Sequence, residues 1–160
     1  MRPVHLNEGE RDFVVDLRSF YQNNRESFHD KELYLLRNQS RGRGIGFFEA
    51  GNFYPDFILW LVDGQRQHVT FVDPKGILHL QGPDDPKIRF YRTIKDLEAR
   101  LGDSNVVLDS FILSNTPYQQ VSWWDGGMTL ADFESRHVLF TKPDRSIYIS
   151  KMLHEILRYK

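Results

Sequence analysis

The sequence contains no cysteine. This excludes disulfide staples, thiol catalysis and sulfur-ligated zinc or iron–sulfur centres, so any metal must rest on oxygen or imidazole ligands. The six histidines, His5, His29, His68, His79, His137 and His154, are scattered, with no pair at zinc-ligand spacing. There is also no apolar run near the roughly 20 residues a membrane helix needs, and Met1-Arg2-Pro3-Val4-His5 lacks the apolar segment of a secretory signal. The expected location is cytoplasmic. No GxxxxGK[ST] loop occurs, so a P-loop motor is not encoded here. Neither sign of charge is in excess: 21 Lys and Arg stand against 22 Asp and Glu. The overall balance therefore gives no argument for a nucleic-acid partner. A site that gathers carboxylates around a cation would lower net charge by itself, and the feature to seek is then a local basic group. Arg37, Arg41 and Arg43 form the densest one.

What is present fits a folded domain. The 160 residues are 40% hydrophobic and 27% charged, unlike a disordered chain, and their number suits one domain better than two. Residues 7–23 place Phe13, Val14, Leu17, Phe20 and Tyr21 at helical spacing, and Glu10 extends that stripe backwards. Strand-length runs follow at 32–36, 45–49, 57–62 and 68–72, with Asp63-Gly64 as a hairpin signal between the last two. Residues 84–101 carry Ile88, Tyr91, Ile94 and Leu97 at helical spacing before Gly102, a glycine stop. The apolar run 106–113 predicts a strand buried on both faces, central or parallel. Beyond it, Trp123 to Gly127 predicts a turn, 137–140 a short strand and 146–158 a helix. No internal repeat or low-complexity linker divides the chain. The core is expected over 7–115, with an α/β extension over 116–160.

Chemistry concentrates in two stretches, Tyr54-Pro55-Asp56-Phe57-Ile58 and Val72-Asp73-Pro74-Lys75-Gly76. Alternate residues of a strand share a face, so Asp73 and Lys75 should point one way and Pro74 the other. A hairpin at Asp63-Gly64 folds the strand beginning near Asp56 against the one ending near Asp73, which brings two carboxylates to one end of a sheet. Two carboxylates side by side repel, and a divalent cation removes the penalty. Mg²⁺ or Mn²⁺ suits two or three acids with an open coordination sphere better than a closed cage. Such an ion could hold a phosphate and activate water, with Lys75 as a point charge beside it. Glu10, on the buried stripe of the first helix, is a candidate third ligand.

The pattern resembles that of the PD-(D/E)xK nucleases, with Asp56 in Pro-Asp-Phe and Asp73-Pro74-Lys75. More narrowly, Asn7-Glu8-Gly9-Glu10, Leu35-Leu36-Arg37-Asn38, Gly44-Ile45-Gly46-Phe47-Phe48 and Asp73-Pro74-Lys75-Gly76 are similar to the endonuclease region of Res subunits of Type III restriction enzymes and related helicase-nuclease proteins. The likeness covers mainly the first half of the chain. It implies a restriction-endonuclease-like αβββαβ core, a central mixed sheet flanked by helices, divalent metal and double-stranded DNA as substrate. It also implies a helicase or translocase partner, fused or separate, and pairing of two domains for double-strand cleavage.

Each feature has a plainer reading. Asp73-Pro74-Lys75-Gly76 is also ordinary turn chemistry, and Glu10 also suits a helix start. Arg37, Arg41 and Arg43 either contact phosphates or decorate a solvated loop. Lys87, Arg89, Arg92 and Lys95 either reach a phosphate or form the polar face of the second helix. Trp123 and Trp124 suit packing better than base stacking. The whole domain could also be a catalytically silent nuclease-fold module used for DNA binding or docking.

Overall fold

The computed structural model describes residues 5–39, 44–47, 50–74, 82–121, 127–142 and 145–158. Helix α1 (Glu8–Asn23) opens with a capping box: the Asn7 side chain accepts the Glu10 N–H at 2.8 Å, and the Glu10 carboxylate accepts the Asn7 N–H. Its buried residues are Glu10, Phe13 and Leu17, a helical stripe turned to the sheet. After a 3₁₀ turn at Arg25–Phe28 come β1 (Lys31–Arg37), β2 (Phe57–Asp63) and β3 (Arg66–Pro74), antiparallel in succession. The hairpin expected at Asp63-Gly64 joins β2 to β3 with Asp63 opposite Arg66, and Gly64 takes the positive φ of 63° that the turn requires.

Helix α2 (Pro86–Leu101) starts under an Asp85 cap, with Pro86 in its first turn, and stops at Gly102 in the left-handed region. It crosses to β4 (Val106–Ser114), which runs parallel to β3 and is buried along eight of its nine residues. Short helices α3 (Tyr118–Val121) and α4 (Leu130–Ser135) lead to β5 (Val138–Phe140), parallel to β4, and then to α5 (Ile147–Leu157). The sheet order is β1-β2-β3-β4-β5, an α/β fold with flanking helices, as expected. None of the described helices is long and apolar enough to cross a membrane.

Period-two alternation divides the core between two faces. Phe57, Leu59, Val72, Phe111 and Leu113 pack under α1 and α5, against Phe13, Leu17, Ile149, Met152 and Ile156. The other face carries Ile58, Phe71 and Leu108 against Phe90 and Ile94, with Ile112 and Val138 against Ile88 and Phe133. Full burial of each such side chain contributes about 1.5–3 kcal/mol. Thus α5, read from sequence as part of an extension, completes the same core cluster that α1 begins.

The expected strand at 45–49 is corrected. Residues 48 and 49 lie outside the described residues, and Phe47 makes only an isolated bridge to Phe53. The reason is local: Asn38 takes both backbone groups of Ile45, and the Phe47 ring packs 4.8 Å from Phe71 and 4.3 Å from Phe90. The expected turn at Trp123 and Trp124 also falls outside the described residues.

β5 covers only Ile112–Ser114 of β4, and side chains satisfy the next stretch of that edge. The Leu108 N–H donates to Glu98 Oε2 at 2.8 Å, Lys95 Nζ donates to the Leu108 carbonyl at 2.6 Å, and His137 Nδ1 meets the Ser110 carbonyl at 3.0 Å. Lys95 thus belongs to the fold, and its Nζ also lies 3.4 Å from the Asp109 carboxylate. Burial nevertheless pushes the Asp109 carboxyl up from 3.8 to about 6, against the pull of Lys95 and with some push from Glu98 and Glu155. The folded chain therefore holds this proton more tightly than the unfolded chain. Asp109 favours folding most below about pH 4, and that contribution is lost as pH rises through 6, by about 3 kcal/mol at most. Asp109→Asn should accordingly gain stability relative to the parent between pH 4 and pH 7, measured by urea unfolding. An unchanged difference between the two proteins at both pH values would contradict the assignment.

Candidate active site

The register of the β2–β3 hairpin sets the geometry. Phe57 stands opposite Val72, so the next pair outward is Asp56 and Asp73. There the ladder changes partner: the Asp56 N–H donates to Asp73 Oδ1 at 2.9 Å, while the Asn38 N–H donates to the Asp56 carbonyl at 2.8 Å. Asp56 thereby ties the ends of β1 and β3 together through its own backbone. Asp73 is 1% exposed, at the carboxyl end of β3 where β3 and β4 run parallel. In open α/β sheets that end is where ligands bind.

Both long N-terminal helices begin at this end. Gly9 of α1 lies beside Pro74, with an ideal Cβ 3.9 Å from the proline Cβ, and Ile88 in the first turn of α2 packs with Ile112 near the end of β4. The N-termini of two helices therefore lie at this end of the sheet, α1 with Glu8 and Glu10 in its first turn and α2 under the Asp85 cap. Lys75, the cation of the sequence pattern, lies outside the described residues, as do Arg41 and Arg43.

Glu10 is buried as the stripe requires, yet it is turned elsewhere. Strand alternation puts Asp73 on the face of Phe71 and α2, whereas Glu10 enters from α1 on the face of Phe57 and Val72. There Arg37 Nη2 lies 2.9 Å from Glu10 Oε2, off the hydrogen-bonding axis, so that the contact is an ion pair only. The Arg37 guanidinium also sits 6.0 Å from the centroid of the Phe57 ring. Among the described residues, no three His, Asp or Glu side chains are gathered closely enough to hold one ion. The Asp56 backbone N–H meets the Asp73 carboxylate, and Glu10 is joined to Arg37.

The second-helix cations divide in the same way. Lys87 Nζ lies 5.9 Å from the centroid of the Phe53 ring, near the start of α2, and Lys95 is committed to the β4 edge. Arg92 lies over its neighbour Tyr91.

Sequence reasoning missed Asn38. Its carboxamide donates to the carbonyls of Ile45 at 2.7 Å and Pro55 at 2.8 Å, and accepts the Ile45 N–H at 2.9 Å. One side chain thus pins residue 45 to the segment that delivers Asp56. The glycines around it serve this close approach: a Cβ on Gly44 would lie 1.8 Å from the Gln39 carbonyl oxygen, and one on Gly46 2.3 Å from the Tyr54 ring. Gly44 and Gly46 thus let the backbone approach its own chain. An Asn at a strand end between Arg37 and Gln39 carries no local signal of that task.

No family model matches the chain, and no curated protein matches it.

Loss of the Asn38 bonds should cost about 1–3 kcal/mol, since each satisfies a backbone group of the loop. Asn38→Ala and Gly44→Ala are both expected to lower the denaturation midpoint and to expose residues 44–47 to proteolysis. Parent-like stability and protease resistance in both would contradict this scaffold role.

Proposed function

We propose that this chain is a divalent-metal-dependent endonuclease domain that hydrolyses DNA phosphodiester bonds, the cleavage part of a Type III restriction-like or helicase-linked enzyme. The observation that carries the reading is the hydrogen bond of 2.9 Å from the Asp56 N–H to the Asp73 carboxylate, which sets the two acidic residues side by side at the open end of the hairpin. The Asp73 carboxylate closes the hairpin mouth, a task that leaves the second acid, at Asp56, unexplained, and two acids there invite a cation.

The donor set fits Mg²⁺ or Mn²⁺ rather than a softer metal: two carboxylates from adjacent strands, hard oxygen donors with no sulfur or imidazole among them. Asp56 and Asp73 would hold the ion, and Glu10 is committed to Arg37 and to the α1 cap. When bound, such an ion neutralises charge on the phosphate and lowers the pKa of a water. Lys75 in Asp73-Pro74-Lys75 would supply positive charge where the phosphate develops its negative charge in the transition state. Hydrolysis then forms one P–O bond from water and breaks one ester P–O bond, the departing oxygen taking a proton. Double-stranded DNA and a translocating partner follow from the resemblance of the motifs alone.

A second reading, a catalytically silent nuclease-fold module, is favoured by the Glu10–Arg37 pair, which withholds a third carboxylate from the site. Purified protein with supercoiled plasmid separates the two. Nicking is expected with Mg²⁺ or Mn²⁺ and not with chelator, and Asp56→Asn, Asp73→Asn or Lys75→Ala should each slow it about 100-fold or more with the fold intact by thermal melting. Variants that cut like the parent contradict the assignment of residues. If the parent does not cut and calorimetry finds no Mg²⁺ binding that depends on Asp73, the silent module is the correct reading.

A further inference from the structure

A cavity of about 370 Å³ opens at the same end of the sheet, on the α1 side, and the nuclease chemistry does not use it. Pro74 and Leu113, both buried, form an apolar floor, and Pro74 sits between the two motif residues Asp73 and Lys75. The walls are polar: Glu8 and Asp12 from α1, Asn115 just past β4, and Thr141 just past β5. The position of Asn115 is defined, since its Nδ2 lies 3.9 Å from an ideal Cβ on Gly9, so the amide faces the first turn of α1.

The lining selects among ligand classes. Two carboxylates oppose phosphate or any other anion; among the described residues Asp12 is compensated, by Arg145 at 3.3 Å, and Glu8 is not. Asp12 is held by Arg145, so a divalent ion would find one acid here where Asp56 and Asp73 offer two. An apolar floor with hydrogen-bonding walls suits a flat, neutral ring, and the volume falls in the lower part of the ~300–1,000 Å³ range of small-molecule sites. Carboxylates accept from amino groups on base edges, and a carboxamide pairs with a base edge through one donor and one acceptor. A base stacked inside a duplex cannot enter such a cavity, so its occupant must be unpaired.

We propose that this cavity receives an unpaired nucleobase carrying an exocyclic amino group, from the nucleotide flanking the scissile phosphate. The proposal rests on the nuclease reading and refines its substrate class: a strand with an unpaired nucleotide at the cut, as at a fork or flap.

Two measurements test it. The first needs no cleavage: each of the four 2′-deoxynucleosides is titrated into metal-free protein, with amide resonances followed by NMR. Deoxyadenosine, deoxycytidine or deoxyguanosine should shift Gly9, Asn115 and Thr141, with thymidine weakest. Gly9→Leu, which fills the cavity where a Cβ meets only ordinary contacts, and the exposed Asn115→Ala should each weaken binding at least fivefold. Absence of shifts at these residues, or equal shifts with thymidine, overturns the proposal. The second compares cutting of a fork bearing an unpaired adenine with cutting of the matching duplex. The fork should be cut at least fivefold faster, and Asn115→Ala should erase the difference. Cutting with no preference for the fork overturns the proposal and leaves the nuclease reading standing. Nucleoside binding without any metal-dependent cutting overturns the nuclease reading and the flanking-phosphate placement, and leaves a nucleobase pocket.

Discussion

The bond from the Asp56 N–H to the Asp73 carboxylate is the constraint on which the rest of this end of the molecule depends. A backbone donor at the mouth of a hairpin must be satisfied, and here a buried side chain takes the place of the next ladder carbonyl. The substitution fixes the carboxylate of β3 against the backbone of β2 and, through Asn38, against β1. Three strand ends are thereby locked at one point. A site built on such a frame is held by the sheet and needs no loop to position it.

Around that point the sequence uses conformational freedom sparingly. Gly44 and Gly46 let the chain approach itself, and Phe47 anchors the loop by inserting its ring between Phe71 and Phe90. The far end of the sheet solves a different problem, an edge strand that outruns its partner, with Glu98, Lys95 and His137 serving as surrogate backbone. His137 does so at a positive φ of 58°, an arrangement that costs about 1–3 kcal/mol and is held by the bond from the Ile112 N–H to the His137 carbonyl. At both ends buried titratable groups stand in for missing backbone partners: Lys95 and Glu98 along β4, and Asp73 at the mouth of the hairpin.

Much of this was readable in the residues. The apolar stripes of α1, α2 and α5 and the glycine stop at Gly102 are local signals, and local signals survive without tertiary information. The Asp63-Gly64 turn also fixes register, and counting outward along the hairpin puts Asp56 opposite Asp73. What was not readable depends on crossings between elements distant in sequence. Glu10 was legible as buried, whereas its pairing with Arg37 requires knowing how α1 lies over the end of β1. Residues 45–49 have the composition of a strand, and only the side chain of Asn38 shows why residue 45 does not join the sheet. The polar groups along β4 look like an ordinary helix surface until the shortness of β5 gives Lys95 and Glu98 an edge to cover.

Asp56 and Asp73 are proposed to hold one divalent ion between them. Crystals of the protein soaked in Mn²⁺, with data collected at the manganese absorption edge, address it directly, because the anomalous signal locates the ion independently of any activity. A single strong peak is expected within coordination distance of both carboxylates, at about 2.0–2.4 Å. No peak at that position, or a peak held by other residues while Asp56 and Asp73 keep protein partners alone, would contradict it.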